Sequence, residues 1–240
     1  LQSSQQKVAP TAAQRDLPAI KAMTRPAQPD SIPDPWRARL AAGLDQLGCA
    51  LGVDAQQRLL DYIALLLKWN GAYNLTAVRD PLAMIDRHLI DSLALLPFAQ
   101  GPDLADIGTG PGIPGLVLAL VHPYERVWLV DSNGKKARFL RECLRRFDLP
   151  AVAVHEARAE QLTADAGFSQ VTSRAYASLA DFVASTRQIL APQGRWLALK
   201  GKRPDAEIAG LPDDVVVEAM HRLDVPGADG ERHLLILRLR

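Results

Sequence analysis

The sequence predicts an α/β fold: a mostly parallel, doubly wound sheet preceded by a helical N-terminal cap and closed by an antiparallel terminal strand pair. Three observations predict it. Apolar residues recur at helical spacing up to about residue 100; short apolar runs then alternate with helical patterns; and the last two apolar runs are joined by VPGADGER, which is too short to hold a crossover helix.

Residues 1–35 are rich in Gln, Ala, Pro and Ser and lack an apolar period, so a disordered tail without assigned function is expected there. The cap, 36–100, begins at Trp36 with Leu40, Leu44 and Leu47 at helical spacing. Asp54 and Gln57 form a capping-box signature for a second helix through Leu59, Ile63, Leu66 and Leu67 to about Lys68. The loop WNGAYNLTAVRD follows, and Asp80-Pro81 opens a third helix with a buried stripe at Ile85, Leu89, Leu93 and Leu96. From 101 to 240 the expected strands are 104–107, 127–130, 151–154, 171–173, 196–199, 215–220 and 234–239.

The composition, 48% hydrophobic and 23% charged, is ordinary for a globular chain of 240 residues. A formal net charge of +1 means that any nucleic acid must be met by a local basic patch. Two distant cysteines, Cys49 and Cys143, exclude a disulfide framework, and no ligand spacing points to a metal. The apolar runs are too short to span a bilayer, and a cytoplasmic protein is expected.

The stretch LADIGTGPGIPG is the chemical centre of the sequence. Gly110, Gly112 and Gly115 fit G-x-G-x-x-G between a strand and a helix, where backbone N–H groups can face a ligand. Asp131 closes the next strand 19 residues after Gly112, placed to hydrogen-bond two ribose hydroxyls. Dinucleotide and methyl-donor sites share both features, and three details favour S-adenosylmethionine. Gly108 and Thr109 intervene between Ile107 and Gly110. Asp106 would repel a pyrophosphate but can anchor a cationic amino-acid moiety. The antiparallel ending is common in the methyltransferase version of this sheet. The expected class is therefore a Rossmann-like class I methyltransferase.

The segments KWNGAYNLTAVRDP (68–81), RHLIDSLALLP (87–97), DIGTGPGIPG (106–115), VDSNGKKARFLR (130–141), SRAYASL (173–179), ALKG (198–201) and DGERHLL (229–235) carry a more specific signal. Through them the chain, over about 40–240, resembles the RsmG (GidB) family of bacterial 16S rRNA guanine methyltransferases. The resemblance implies methylation of a guanine at its seventh ring nitrogen, with S-adenosylmethionine as donor and 16S rRNA or the small ribosomal subunit as partner. It also implies cofactor contacts at Gly108, Ile113, Ala159, Glu160 and Arg174. A monomer is expected.

That nitrogen carries an exposed lone pair, so methyl transfer needs positioning rather than an obligatory general base. Asn74, His88 and Arg174 are candidates for holding the base, although Asn74 also reads as a turn residue and His88 as a packed helix histidine. Arg87 is a candidate RNA contact, and its spacing from Asp91 also suits an i,i+4 surface ion pair. Lys200, Lys202 and Arg203 follow the fifth strand on the cofactor side and are the favoured RNA-binding group. Lys135 and Lys136 open a basic helix face that suits either RNA phosphate or plain solvation. Two rival readings remain at this level: an NAD-dependent oxidoreductase and a noncatalytic RNA-binding protein.

Overall fold

The computed structural model describes residues 32–174 and 176–240. The tail expected over 1–35 lies outside the described residues as far as residue 31. Helix α1 (Asp34–Leu47) carries Pro35 in its first turn, buries Leu40 and Leu44, and stops at Gly48, whose φ of 63° suits a residue without a side chain. Helix α2 (Val53–Tyr73) opens at Gly52 without a side-chain cap. The expected Asp54–Gln57 box does not form, because Gln57 Nε2 donates to Asp61 Oδ1 one turn further on, at 2.9 Å. This helix also continues past Lys68. Trp69 stacks on Tyr73 with ring centroids 5.3 Å apart and meets Phe139 edge-on, and these contacts hold a Trp-Asn-Gly stretch helical that reads locally as a loop.

Asp80 caps α3 (Pro81–Met84) by accepting from the Ala83 N–H at 2.7 Å. A π-helical turn, Ile85–Ile90, then separates α3 from α4 (Asp91–Leu93), and the Asp91 N–H reaches back to the Asp86 carbonyl. The extra residue in that turn rotates everything after it relative to a continuous α-helix. Ile85, Leu89 and Leu93 are buried as expected, but the helix has ended by residue 95, so Leu95 enters the core and Leu96 stays half-exposed.

The described residues form seven strands, β1 (Asp103–Ile107), β2 (Arg126–Val130), β3 (Val152–His155), β4 (Phe168–Ser173), β5 (Leu190–Lys200), β6 (Val215–Arg222) and β7 (His233–Leu239), in the order β3-β2-β1-β4-β5-β7-β6. The first five run parallel, and β7 is antiparallel to both its neighbours. The terminal pair is thus not simply appended. Its second strand slides between β5 and β6. Four helices connect the strands: α5 (Gly115–Ala119), α6 (Gly134–Phe147), α7 (Leu179–Thr186) and α8 (Asp205–Ala209).

One hydrophobic cluster joins α1, α2 and the α3–α4 segment to α5, α6 and one sheet face; a second lies on the face covered by α7. Within the second, fully buried Trp196 satisfies its indole N–H on Thr186 Oγ1 at 2.9 Å. Strand β1 is flanked by β2 on one side and β4 on the other, so the winding reverses there and opens a crevice at the C-terminal strand ends.

Candidate functional site

The glycine loop fills that crevice. Its backbone donors are spent within the protein. The N–H groups of Gly108 and Thr109 bond to the Val130 carbonyl, Gly110 to Asp131 Oδ2, Gly112 and Ile113 to the Thr109 carbonyl, and Gly115 to Asp106 Oδ2. Pro111 and Pro114 have no N–H to offer. From the cap side, Tyr62 donates its hydroxyl to the Pro111 carbonyl at 3.0 Å. The loop is therefore a fixed wall rather than a phosphate cradle, a change from the expectation that its N–H groups face a ligand.

Asp106 is wholly buried beneath it. Its Oδ2 accepts from Thr109 Oγ1 at 2.6 Å and from Gly115 at 2.7 Å, while its Oδ1 has no partner. Burial pushes this carboxyl up to about 6, against the opposing pull of those hydrogen bonds and of the Arg174 charge. An unpartnered buried acceptor is a place for a ligand donor.

A cleft of about 490 Å³ runs from the loop across the strand ends, lined among others by Gly108, Asp131, Lys136, Ala159, Glu160 and Tyr176. Gly108, at φ 71°, has nothing within 4 Å of where a Cβ would stand, so the wall is open to a ligand there. Asp131 is held by the Gly110 and Asn133 N–H groups and by Lys136 Nζ at 3.2 Å. Ile113 is buried in the loop and Ala159 in a short 3-10 turn, whereas Glu160 is exposed. The unpartnered carboxylate oxygen and the open Gly108 position fit a cationic, phosphate-free ligand such as S-adenosylmethionine.

A second cleft, about 460 Å³, is lined by Thr76, Arg87, His88, Asp91, Arg174, Lys200, Asp229 and Arg232 among others. Ser173 lines the first cleft and Arg174 the second, so the end of β4 is where the two adjoin. His88 is buried, with Nε2 3.1 Å from Thr76 Oγ1 and Nδ1 unpartnered. Burial first, and then the Arg174 charge, lower its pKa to about 4, so the ring is neutral near pH 7.

A family model described as GidB, rRNA small subunit methyltransferase G, matches residues 55–235. The chain belongs to the GidB family. Among curated relatives, the ribosomal RNA small subunit methyltransferase G of Pseudomonas aeruginosa (strain LESB58) is 50% identical over 200 residues, spanning 83% of this chain and 94% of that protein. The protein of that name from Xanthomonas oryzae pv. oryzae (strain KACC10331 / KXO85) is 52% identical over 180 residues, 75% of this chain and 85% of that protein. The chain is also similar in fold to TrmN from Thermus thermophilus, with a TM-score of 0.51 and 20% identity over 62% of this chain and 48% of that one. A complex of TYW2 from M. jannaschii with AdoMet gives a TM-score of 0.50 and 15% identity, covering 62% and 74% of the two chains. The fold is that of the class I methyltransferases, and the GidB family is one of S-adenosylmethionine-dependent enzymes.

In this GidB-family member the expected site residues fall into separate groups. Gly108, Asp131, Ala159 and Glu160 gather at the first cleft; Gly110, Gly112 and Ile113 shape the loop behind it, and Asp106 is buried beneath that loop rather than lining the cleft. His88, Arg87, Arg174 and Lys200 meet in the second cleft. Asn74 stands apart: it terminates α2 in the left-handed region at φ 52°, exposed, with its Oδ1 accepting from Arg79 Nη2 at 2.5 Å. Lys136 lines the first cleft, while Lys135 is solvent-exposed at the start of α6. Lys200 is ion-paired to Glu207 at 2.7 Å, and Arg203 to Asp205 at 2.7 Å. Lys202 and Arg203 line a hollow next to the second cleft, sharing Gly201, Asp229 and Arg232 with it.

The i,i+4 pairing of Arg87 with Asp91 does not occur in this structure. The π turn carries Arg87 to the surface, where it pairs with Asp229, and turns Asp91 inward. Buried Asp91 accepts from Arg174 Nη1 at 3.0 Å and from Arg232 Nε at 2.8 Å, tying the cap to β4 and to the segment before β7. Arg174 also donates to the Arg87 carbonyl at 2.9 Å. Asp229, Arg232, Thr76 and Tyr62 received no role from the sequence, and Asp91 only that of a surface partner for Arg87. All but Tyr62 lie within the motif segments, yet nothing local reveals that they converge. Among the described residues no group of three or more His, Cys, Asp or Glu could hold a metal ion, and no helix is long and apolar enough to cross a membrane.

Proposed function

We propose that the chain transfers a methyl group from S-adenosylmethionine to the seventh ring nitrogen of a guanine in 16S rRNA of the small ribosomal subunit. The observation that carries the reading is the glycine loop. Its N–H donors are all engaged internally while buried Asp106 keeps one free oxygen. A dinucleotide's pyrophosphate would find no loop donor and a carboxylate opposite it, whereas a ligand ammonium finds its acceptor.

When bound, S-adenosylmethionine supplies an electrophilic methyl group. Gly108, Ala159, Glu160 and Asp131 would hold it along the first cleft, and the unpartnered oxygen of Asp106, buried beneath the loop, would take its ammonium group. The second cleft receives the base. His88 stays neutral there and offers one ring N–H or one lone pair, and Arg174 is fixed by Asp91 so that its guanidinium keeps one orientation. The guanine nitrogen has no proton to lose, so these side chains orient the base and exclude water without removing a proton.

The test is transfer of labelled methyl to deproteinised 16S rRNA and to intact small subunits, followed by mapping of the modified base. Label on the seventh nitrogen of a guanine is expected, and Asp106→Asn should weaken donor binding. Absence of transfer to either substrate, with donor binding intact, would overturn the substrate; Asp106→Asn binding the donor as well as wild type would overturn the site.

A further inference from the structure

The second cleft holds more positive charge than its own carboxylates neutralise: Arg87, Arg174, Lys200 and Arg232 line it against Asp91 and Asp229. Three of the four cations are committed to the fold. Arg174 and Arg232 share buried Asp91, and Lys200, only 14% exposed, is held by Glu207. The fourth pair differs in kind. The Arg87 and Asp229 side chains are 50% and 81% exposed, and Asp229 lies on the turn between β6 and β7, between Gly227 and Gly230, both in positive-φ conformations. So exposed a pair contributes little to stability.

Its position matters more than its strength. Asp229 lines both the second cleft and the neighbouring hollow that adds Lys202, Arg203 and Glu231, so its carboxylate stands where the two meet. An RNA strand placing a base in the cleft and its backbone along the hollow must bring a phosphate past that point. A guanidinium binds carboxylate and phosphate through the same parallel N–H fork.

Resting on the reading of the cleft as the guanine site, we propose that Asp229 is an internal stand-in for an RNA phosphate. It holds the Arg87 guanidinium at the cleft mouth and is displaced by the phosphodiester beside the target guanine. Until then it masks that guanidinium from RNA that cannot place a phosphate there, exchanging affinity for discrimination. Asp229 is in this view a specificity-determining residue, and Arg87 the phosphate contact it masks.

Binding of the full chain to deproteinised 16S rRNA, measured over a range of salt concentrations, separates the possibilities with three variants. Asp229→Asn should bind several-fold tighter than wild type. Arg87→Gln should bind more weakly, with the slope of log K against log salt reduced by about one. The double variant should match Arg87→Gln, because Asp229 acts only through Arg87. Thermal unfolding of all three should stay near wild type, as both side chains are exposed. Asp229→Asn binding no tighter than wild type would overturn the proposal, and so would an effect of Asp229→Asn that persists in the Arg87→Gln background. Failure of the guanine reading itself has a different signature: wild type would bind its donor yet transfer no methyl to either RNA substrate.

Discussion

His88 shows how a single side chain records its surroundings. Buried beside Arg174, its imidazole has a pKa of about 4 instead of the ordinary 6.5. Above pH 6.5 the ring is neutral in both the folded and unfolded chain, and its full contribution is present. Between 6.5 and about 4 only the unfolded chain takes the proton, so stability falls with pH; below about 4 the loss levels off. Asp106 acts in the opposite sense. Its carboxyl is raised from 3.8 to about 6, so its contribution is greatest at low pH and is lost as pH rises through that interval. The two partly cancel in the wild type, and the difference between wild type and His88→Asn isolates the histidine. Chemical unfolding of both from pH 7 to pH 4 should show the wild type losing stability relative to the variant. Parallel curves would contradict the lowered pKa.

At the same scale lie the limits of what the sequence could reveal. Asp106 was legible because it precedes a glycine turn, and Arg174 because its segment matched a family motif. Asp91 was not. Its nearest cation at helical spacing is Arg87, and only the fold brings Arg174 and Arg232, from distant segments, to its two oxygens.

Among the elements, the glycine loop makes the clearest prediction, because its glycines serve different purposes. At Gly108 a methyl would meet no protein atom, so alanine there carries only the backbone strain of φ 71°, about 1–2 kcal/mol. At Gly112, φ 104°, the added carbon would stand 2.6 Å from Leu116 Cβ and 3.1 Å from Leu140 Cδ2, so α5 and α6 must both give way. Gly112→Ala should therefore lower the melting temperature more than Gly108→Ala, which should instead lower the affinity for S-adenosylmethionine in a calorimetric titration. Equal losses of stability would show that neighbouring atoms do not set the difference. The strands were readable from short apolar runs, each bounded by turn residues. The π turn was not, because Ile85, Leu89, Leu93 and Leu96 fit an uninterrupted α period and, among the apolar residues, the departure shows in which of Leu95 and Leu96 is buried.

For the molecule as a whole, the sequence divides the chain into a cap and a sheet, while the apolar side chains of both enter one cluster. Leu66, in the middle of α2 and fully buried, belongs to it. Leu66→Ala should cost roughly 2–5 kcal/mol and move a single calorimetric transition covering helices and sheet together. Two separable transitions would mean that the cap unfolds by itself. The boundary near residue 100 was legible as a change of apolar period, but periodicity cannot report what a helix packs against.

The placement of β7 between β5 and β6 gives the growing chain an order of events. During synthesis β6 leaves the ribosome with nothing to pair with, because the strand that attaches it to the sheet is made afterwards. Until then β5 presents an open edge of unpaired backbone groups. The first cleft is built from residues no later than Asp181, whereas the second cleft draws Asp229 and Arg232 from the approach to β7. A nascent chain can thus complete the lining of its first cleft while its second cleft still has no far side.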